Sequence, residues 1–225
     1  VINPYLTACD VKNTQPVQRL NIGGSANSVG TTLAPFFVTG IVFGGLSMEE
    51  VEVSQIQISF LVLMAVFAFV TLILTRMKLP DIEGTKAEAG EKLEKSVWSF
   101  SHLTLGVIAI FFYVGVEVCV GANINLYAIE LEKLGHKFFF LGMDALTIGG
   151  IDFAIPALMA TLYWGGMLVG RLISSSLNRI SPRTQLAFAA VFAGLSTLMA
   201  IAFDNPWFLV IVGFFHSVMW GSIFT

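Results

Sequence analysis

Long apolar windows without charged residues recur along almost the whole chain. A helix needs about 20 residues to cross roughly 30 Å of hydrocarbon, and windows of about that length are 20–48, 53–75, 96–129, 153–170, 184–203 and 205–225. Only the third contains a charge, Glu117. With 56% hydrophobic residues, the chain has more apolar surface than a soluble core could bury. The pattern predicts a polytopic all-α membrane protein whose first residues, 1–8, end an earlier helix and whose last span is incomplete, so both ends are expected to continue.

Lysine and arginine collect in every second connector between these windows. Lys133 and Lys137 fall in one set of connectors and the other ten basic residues in the second set. Because cytoplasmic loops of membrane proteins are enriched in Lys and Arg, the second set is predicted to be cytoplasmic: Lys12, Arg19, Arg76, Lys78, Lys86, Lys92, Lys95, Arg171, Arg179 and Arg183. The first full span then runs outward, and the charged segment 76–95 is predicted to be a cytoplasmic linker.

The sequence disfavours an enzyme and a metal protein. Cys9 and Cys119 stand 110 positions apart without a CxxC pattern, which predicts neither a disulfide framework nor a zinc site. His102, His136 and His216 are 34 and 80 positions apart, no HExxH motif occurs, and no span pairs a nucleophile with a base. We therefore expect no metal, no cofactor and no nucleic-acid partner, and a lipid bilayer as the surroundings.

Several short stretches resemble, in the same order along the chain, helices of the fucose/galactose/glucose:proton symporter family of the major facilitator superfamily. They are NPYLT at 3–7, RLN at 19–21 with NSVG at 27–30, YVGVE at 113–117, YWGG at 163–166 with GR at 170–171, and 217–224. They are similar to the end of the family's fourth helix and to parts of its fifth, seventh, eighth and tenth helices. The family's acidic residue on the fourth helix would precede Val1.

The resemblance implies an incomplete bundle of the major facilitator type. In it, 1–75 would end the N-terminal six-helix half, with part of helix 4 and with helices 5 and 6. The segment 76–102 would be the central cytoplasmic linker, and 103–225 would begin the C-terminal half with helices 7 to 10. The charge distribution places that linker on the same side without reference to the family.

Five polar or aromatic side chains lie deep in the predicted spans and are candidates for sugar binding: Asn27, Glu117, Asn123, Trp164 and His216. Glu117 is about 20 Å from either end of its span, so it must face the bundle interior or a wet cavity. The resemblance implies a sugar contact for Asn27, and Trp164 could stack on a sugar ring. Four of them have a structural alternative: an interhelical hydrogen bond for Asn27 and His216, a protonated or amide-paired carboxyl for Glu117, and aromatic packing for Trp164. Only one of Asn123 and Asn125 can line a central cavity.

Gly170 and Arg171 form the last candidate site. With the following 178–179 they are similar to a weakened copy of the superfamily's gating-loop signature, which implies a cytoplasmic gate. The alternative is that Arg171 is one more positive charge at the inner end of a helix.

The resemblance implies proton-coupled uptake of a hexose or deoxyhexose by alternating access, in a carrier that is monomeric at full length. Two alternatives stay open: a major facilitator carrier for another small solute, and a membrane subunit that transports nothing. The amides and single aromatic residues at midplane depth favour a sugar over a lipophilic cation.

Overall fold

The computed structural model of the chain describes residues 2–9, 11–38, 42, 52–78, 96–177 and 179–223. The α-helices within these ranges are α1 (Ile2–Ala8), α2 (Pro16–Phe37), α3 (Val53–Arg76), α4 (Ser101–Lys133), α5 (Ile155–Ser176), α6 (Pro182–Ala202) and α7 (Trp207–Ile223). Two strands, β1 (Ala145–Ile148) and β2 (Ile151–Ala154), lie between α4 and α5.

Four of these helices are long and apolar enough to cross a membrane: α4, α5, α6 and α3 from Ile56 onward. The apolar stretch of α7, Trp207–Trp220, is shorter. From Phe60 to its end, α3 is exposed on every side among the described residues. A helix that is apolar all round suits a hydrocarbon environment, because its backbone groups are paired within the helix.

The bundle is organised around α5 and α7. Helix α7 lies between α5 and α6, α2 runs along α5, and α4 packs on both α5 and α7. Glycines bring α5 and α7 close together. A Cβ at Gly166 would lie 3.3 Å from the backbone nitrogen of Phe214, and a Cβ at Gly170 would collide with the Ser217 hydroxyl and the Phe214 carbonyl oxygen. Small residues at such spacing let helix backbones approach closely.

The connection from α5 to α6 is fixed by local signals. The Ser181 hydroxyl accepts a hydrogen bond from the Thr184 backbone N–H at 3.2 Å, and Pro182 follows as the first helical residue. A serine N-cap followed by proline is a typical helix start. Gln185 also binds this connection, because its Nε2 donates to the Leu177 and Ile180 carbonyls.

The connector 130–152 begins as the end of a helix and closes with a short hairpin. Helix α4 continues to Lys133, and the end of the connector forms an antiparallel hairpin in which Ile148 pairs with Ile151. Gly149 and Gly150 make its two-residue turn with φ angles of 61° and 83°. Two successive positive φ angles are what a type I′ hairpin turn requires.

Two other boundaries fall partly outside the described residues. The first predicted span, 20–48, corresponds to α2, which begins earlier at Pro16, and the part of this window beyond Val38 is not described apart from Val42. Of the predicted linker 76–102, residues 79–95 lie outside the described residues. The division into 1–75, 76–102 and 103–225 therefore stays a prediction.

Candidate functional site

Arg171 is buried in α5 and binds across to α2. Only 2% of the residue is exposed. Its Nη1 donates to the Gly24 carbonyl oxygen and to the Ser28 hydroxyl, both at 2.6 Å. Gly24 makes room for this contact, since a Cβ there would lie 3.3 Å from Arg171 Cδ. The guanidinium is thus fixed to α2 by two short hydrogen bonds.

The same guanidinium lies beside Glu117 of α4. Arg171 Nη2 is 3.6 Å from Glu117 Oε1, and the two side chains are 3% and 14% exposed. The guanidinium carbon lies 5.1 Å from the ring centroid of Trp220 on α7, within the range of a cation–π contact. One buried cation therefore joins α2, α4 and α7 to α5. Charges at this depth need such partners, because an isolated charge is costly away from water.

Hydrogen bonds between α2 and α5 continue beyond Arg171. The Asn21 amide donates to the Ser174 hydroxyl at 2.9 Å, and that hydroxyl donates to Gln185 Oε1 of α6 at 2.8 Å. Nearer the helix ends, Gln18 Nε2 donates to the Ser175 carbonyl oxygen at 3.1 Å. We call Asn21, Ser174 and Gln185, together with Gln18, the α2–α5 polar ladder. It ties the two helices together along the same side that Arg171 binds.

His216 lies inside the group of α4 to α7. Its Nε2 is 3.0 Å from the Tyr113 carbonyl oxygen, and its ring stacks on that of Tyr113 at 4.0 Å. The residue is 2% exposed. In this geometry one ring nitrogen is engaged with α4, which is the interhelical hydrogen bond named above as the structural alternative.

Trp164 packs on the face of α4 that carries Glu117. A Cβ at Gly121 would collide with the Trp164 ring and lie 3.0 Å from the ring of Tyr163. The Tyr163 hydroxyl donates to the Glu117 carbonyl oxygen at 3.1 Å. Trp164 itself is half-buried. Gly121 is therefore the position that lets the two aromatic side chains of α5 lie against α4, one turn from the carboxylate.

The two candidate asparagines are not brought to the Arg171–Glu117 pair. Asn27 is exposed on α2, next to Ser28. Asn123 is also exposed, and its amide donates to the Cys119 carbonyl of its own helix at 2.8 Å. Six positions along a helix turn a side chain by about 120°, so Asn123 does not share the face of Glu117. Asn125, on the other side, is half-buried.

The partners of Arg171 and the residues of the α2–α5 polar ladder were not among the predicted site residues. Asn21, Ser25 and Ser28 are buried and recur at helical spacing, so a polar face on α2 could have been read from the sequence. Ser174 follows Arg171 by three positions on α5. Within the described ranges, no group of three or more His, Cys, Asp or Glu residues could hold a metal ion.

The fold is that of a major facilitator superfamily transporter. Over 99% of this chain and 56% of the other, the structure matches that of the transporter FucP in its outward conformation, with a TM-score of 0.71 at 19% sequence identity. A second structure of FucP, the E. coli fucose:proton symporter, matches over the same shares with a TM-score of 0.67. At this identity the likeness establishes the fold, an integral membrane bundle of which this chain forms part. The predicted all-α, major-facilitator-type architecture is confirmed, with a small hairpin added.

The sequence is similar to that of a protein from Brucella abortus biovar 1 (strain 9-941) named "Glucose/galactose transporter". The two are 30% identical over 229 residues, which are 99% of this chain and 52% of the relative. The chain thus spans about half the length of the curated relatives it matches. No protein-family model matches the chain. The resemblance to sugar symporters that the short sequence stretches indicated is confirmed. The relatives are named as transporters and not as enzymes.

Proposed function

We propose that the full-length protein is a secondary carrier that takes up a hexose or deoxyhexose with protons by alternating access. The supporting observation is the buried Arg171–Glu117 pair at the junction of α2 with α4 and α5. Secondary carriers bind substrate near the bilayer midplane between their repeats, and ionisable residues at that depth mark substrate or proton pathways. We propose a sugar substrate because the Brucella relative is named a glucose/galactose transporter. We propose the proton as coupling ion because the structurally similar E. coli protein is a fucose:proton symporter.

In this proposal α1 to α3 belong to the N-terminal half and α4 to α7 to the C-terminal half. The protein lies in the inner membrane, and segment 76–102 is its cytoplasmic linker. The halves then meet where α2 packs on α5. Arg171, supported by the α2–α5 polar ladder, holds this contact closed in one state of the cycle, and Gly170 completes the gate by letting α7 lie against α5 beside it.

Glu117 is proposed to accept hydrogen bonds from sugar hydroxyls, with Trp164 stacking beside it. Glu117 is 14% exposed and keeps part of its carboxylate accessible while Arg171 holds it in place. Asn27, which is exposed on α2 beside that pair rather than in it, is proposed to bind the sugar from its own helix face. Asn123 and His216 contribute to the site only through a rearrangement, since both are engaged with backbone carbonyls here.

The direct experiment is counterflow of labelled glucose, galactose and fucose through proteoliposomes that contain the full-length protein. Exchange of at least one of the three is expected, together with accumulation driven by a proton gradient. A protein that exchanges none of them carries another solute or none. Accumulation driven by a sodium gradient but not by a proton gradient would show that sodium, and not the proton, is the coupling ion.

The Glu117→Gln variant keeps the shape of the side chain and removes its charge. We expect sugar exchange to fall about 10- to 100-fold, because hydrogen bonds to charged groups contribute roughly 1.5–3 kcal/mol. Accumulation should fall with it. The matched control is Glu130→Gln, whose carboxylate is 66% exposed and pairs with Lys133 at the end of the same helix. Retained exchange with lost accumulation would assign Glu117 to proton coupling, and unchanged values in both assays would leave it only a structural role.

A further inference from the structure

An apolar groove lies between α5, α6 and α7. It has a volume of about 320 Å³ and begins at the connection between α5 and α6. Its walls come from three helices and include Ile173, Leu177, Ile180, Phe188, Phe215 and Val218. Thr184 and Gln185, the latter from the α2–α5 polar ladder, also line it, whereas Arg171, Glu117 and Trp164 do not. The groove is therefore separate from the proposed sugar site.

An acyl chain is the occupant that the walls of this groove favour. The groove lies in a bundle of membrane-spanning helices, where hydrocarbon rather than water surrounds an apolar surface. Within the bilayer an acyl chain gains no hydrophobic transfer free energy by entering the groove, so its binding there depends on van der Waals packing against the walls and on the headgroup. A helix is roughly 10 Å across with its side chains, so it could place side chains in this volume but could not enter it.

The mouth of the groove is basic. Arg179 and Arg183 are exposed, and each directly precedes a residue that lines the groove, Ile180 and Thr184. No aspartate or glutamate occurs from 153 to 203, so the flanking acids Asp152 and Asp204 lie at the far ends of α5 and α6. Those ends are about 30 Å away along the helices. The two arginines thus have no acidic neighbour on their own helices or connection.

We propose that this groove binds one anionic phospholipid. An acyl chain lies against Phe188, Phe215 and Val218, and the phosphate headgroup is held by Arg179 and Arg183. Basic pockets between transmembrane helices at a membrane face bind anionic headgroups in this way. The inference needs only that α5 to α7 cross a membrane, so it stands or falls independently of sugar transport.

Lipid binding to the purified full-length protein tests the headgroup. Native mass spectrometry would measure retention of phosphatidylglycerol and of phosphatidylcholine with identical acyl chains. Two surface cations contribute about a factor of five each, so we expect phosphatidylglycerol to bind about 25-fold more tightly. The Arg179→Gln/Arg183→Gln double variant should bind both lipids equally. The matched control, Arg76→Gln/Lys78→Gln, removes two exposed cations at the end of α3 and should keep the preference.

The Ile180→Trp variant tests the acyl chain. Ile180 is 42% exposed, so a larger side chain fills the groove without disturbing the core. We expect it to weaken retention of both lipids at least tenfold. Full retention of both lipids would show that the arginines alone hold the lipid and would contradict acyl-chain binding in the groove. Equal loss of the phosphatidylglycerol preference in the Arg179/Arg183 and Arg76/Lys78 double variants would show that net charge alone causes the preference. If the wild type bound no lipid, another part of the protein would fill the groove.

Discussion

The Arg171→Met variant of the full-length protein is expected to be about 3–5 kcal/mol less stable than the wild type, the cost typical of breaking a buried ion pair by removing one partner. Methionine keeps most of the side-chain length but donates no hydrogen bond. Glu117 would lose the cation 3.6 Å from its carboxylate. The Gly24 carbonyl and the Ser28 hydroxyl would lose a donor that now binds them at 2.6 Å. Thermal unfolding in detergent measures the change.

A double variant separates the ion pair from the contacts to α2. Adding Glu117→Gln to Arg171→Met removes the unpaired carboxylate, so the combined loss should be at least about 1 kcal/mol smaller than the sum of the two single losses. Arg76→Met, at an exposed position at the end of α3, is the control and should stay within about 0.5 kcal/mol of the wild type. Strictly additive losses would show that the pair contributes no coupling energy and that Arg171 acts through α2 alone.

The burial of Arg171 against α2 could not be predicted from the sequence. The sequence placed it at the cytoplasmic end of its span because a basic residue there fits the positive-inside pattern. Its two hydrogen-bond partners on α2 stand 143 and 147 positions earlier, and only the packing of α2 on α5 brings them together. Glu117 was found by sequence alone because one carboxylate in an otherwise charge-free window is visible without tertiary contacts.

The helices themselves were predictable and the hairpin was not. Charge-free windows located α3, α5 and α6, since length and apolarity alone decide whether a helix can cross a bilayer. The Gly149–Gly150 pair is a turn signal, but the four-residue strands beside it are too short for a clear periodicity. For His216 the sequence left a sugar contact and an interhelical bond open, because the carbonyl it meets, that of Tyr113, lies 103 positions away.

Gly170 is expected to tolerate no side chain, not even a methyl group. In Gly170→Ala the new Cβ would collide with the Phe214 carbonyl oxygen, which belongs to the backbone of α7 and cannot rotate away. Helices α5 and α7 would have to separate, at a cost of about 1–3 kcal/mol. Because the next residue is Arg171, this shift would also move the guanidinium away from Glu117 and lower sugar exchange more than the loss of folded protein explains.

Gly194→Ala is the matched control for this prediction. A Cβ at Gly194 meets nothing within 4 Å among the described residues, and Gly194 lies in α6 more than two turns from Gln185, which joins that helix to the polar ladder. Alanine is favoured over glycine inside a helix by up to about 1 kcal/mol, so this variant should keep or raise the unfolding temperature and keep exchange. If Gly170→Ala matched it in both measurements, α5 and α7 would not depend on their contact at this glycine, and Gly170 would have no role in the proposed gate.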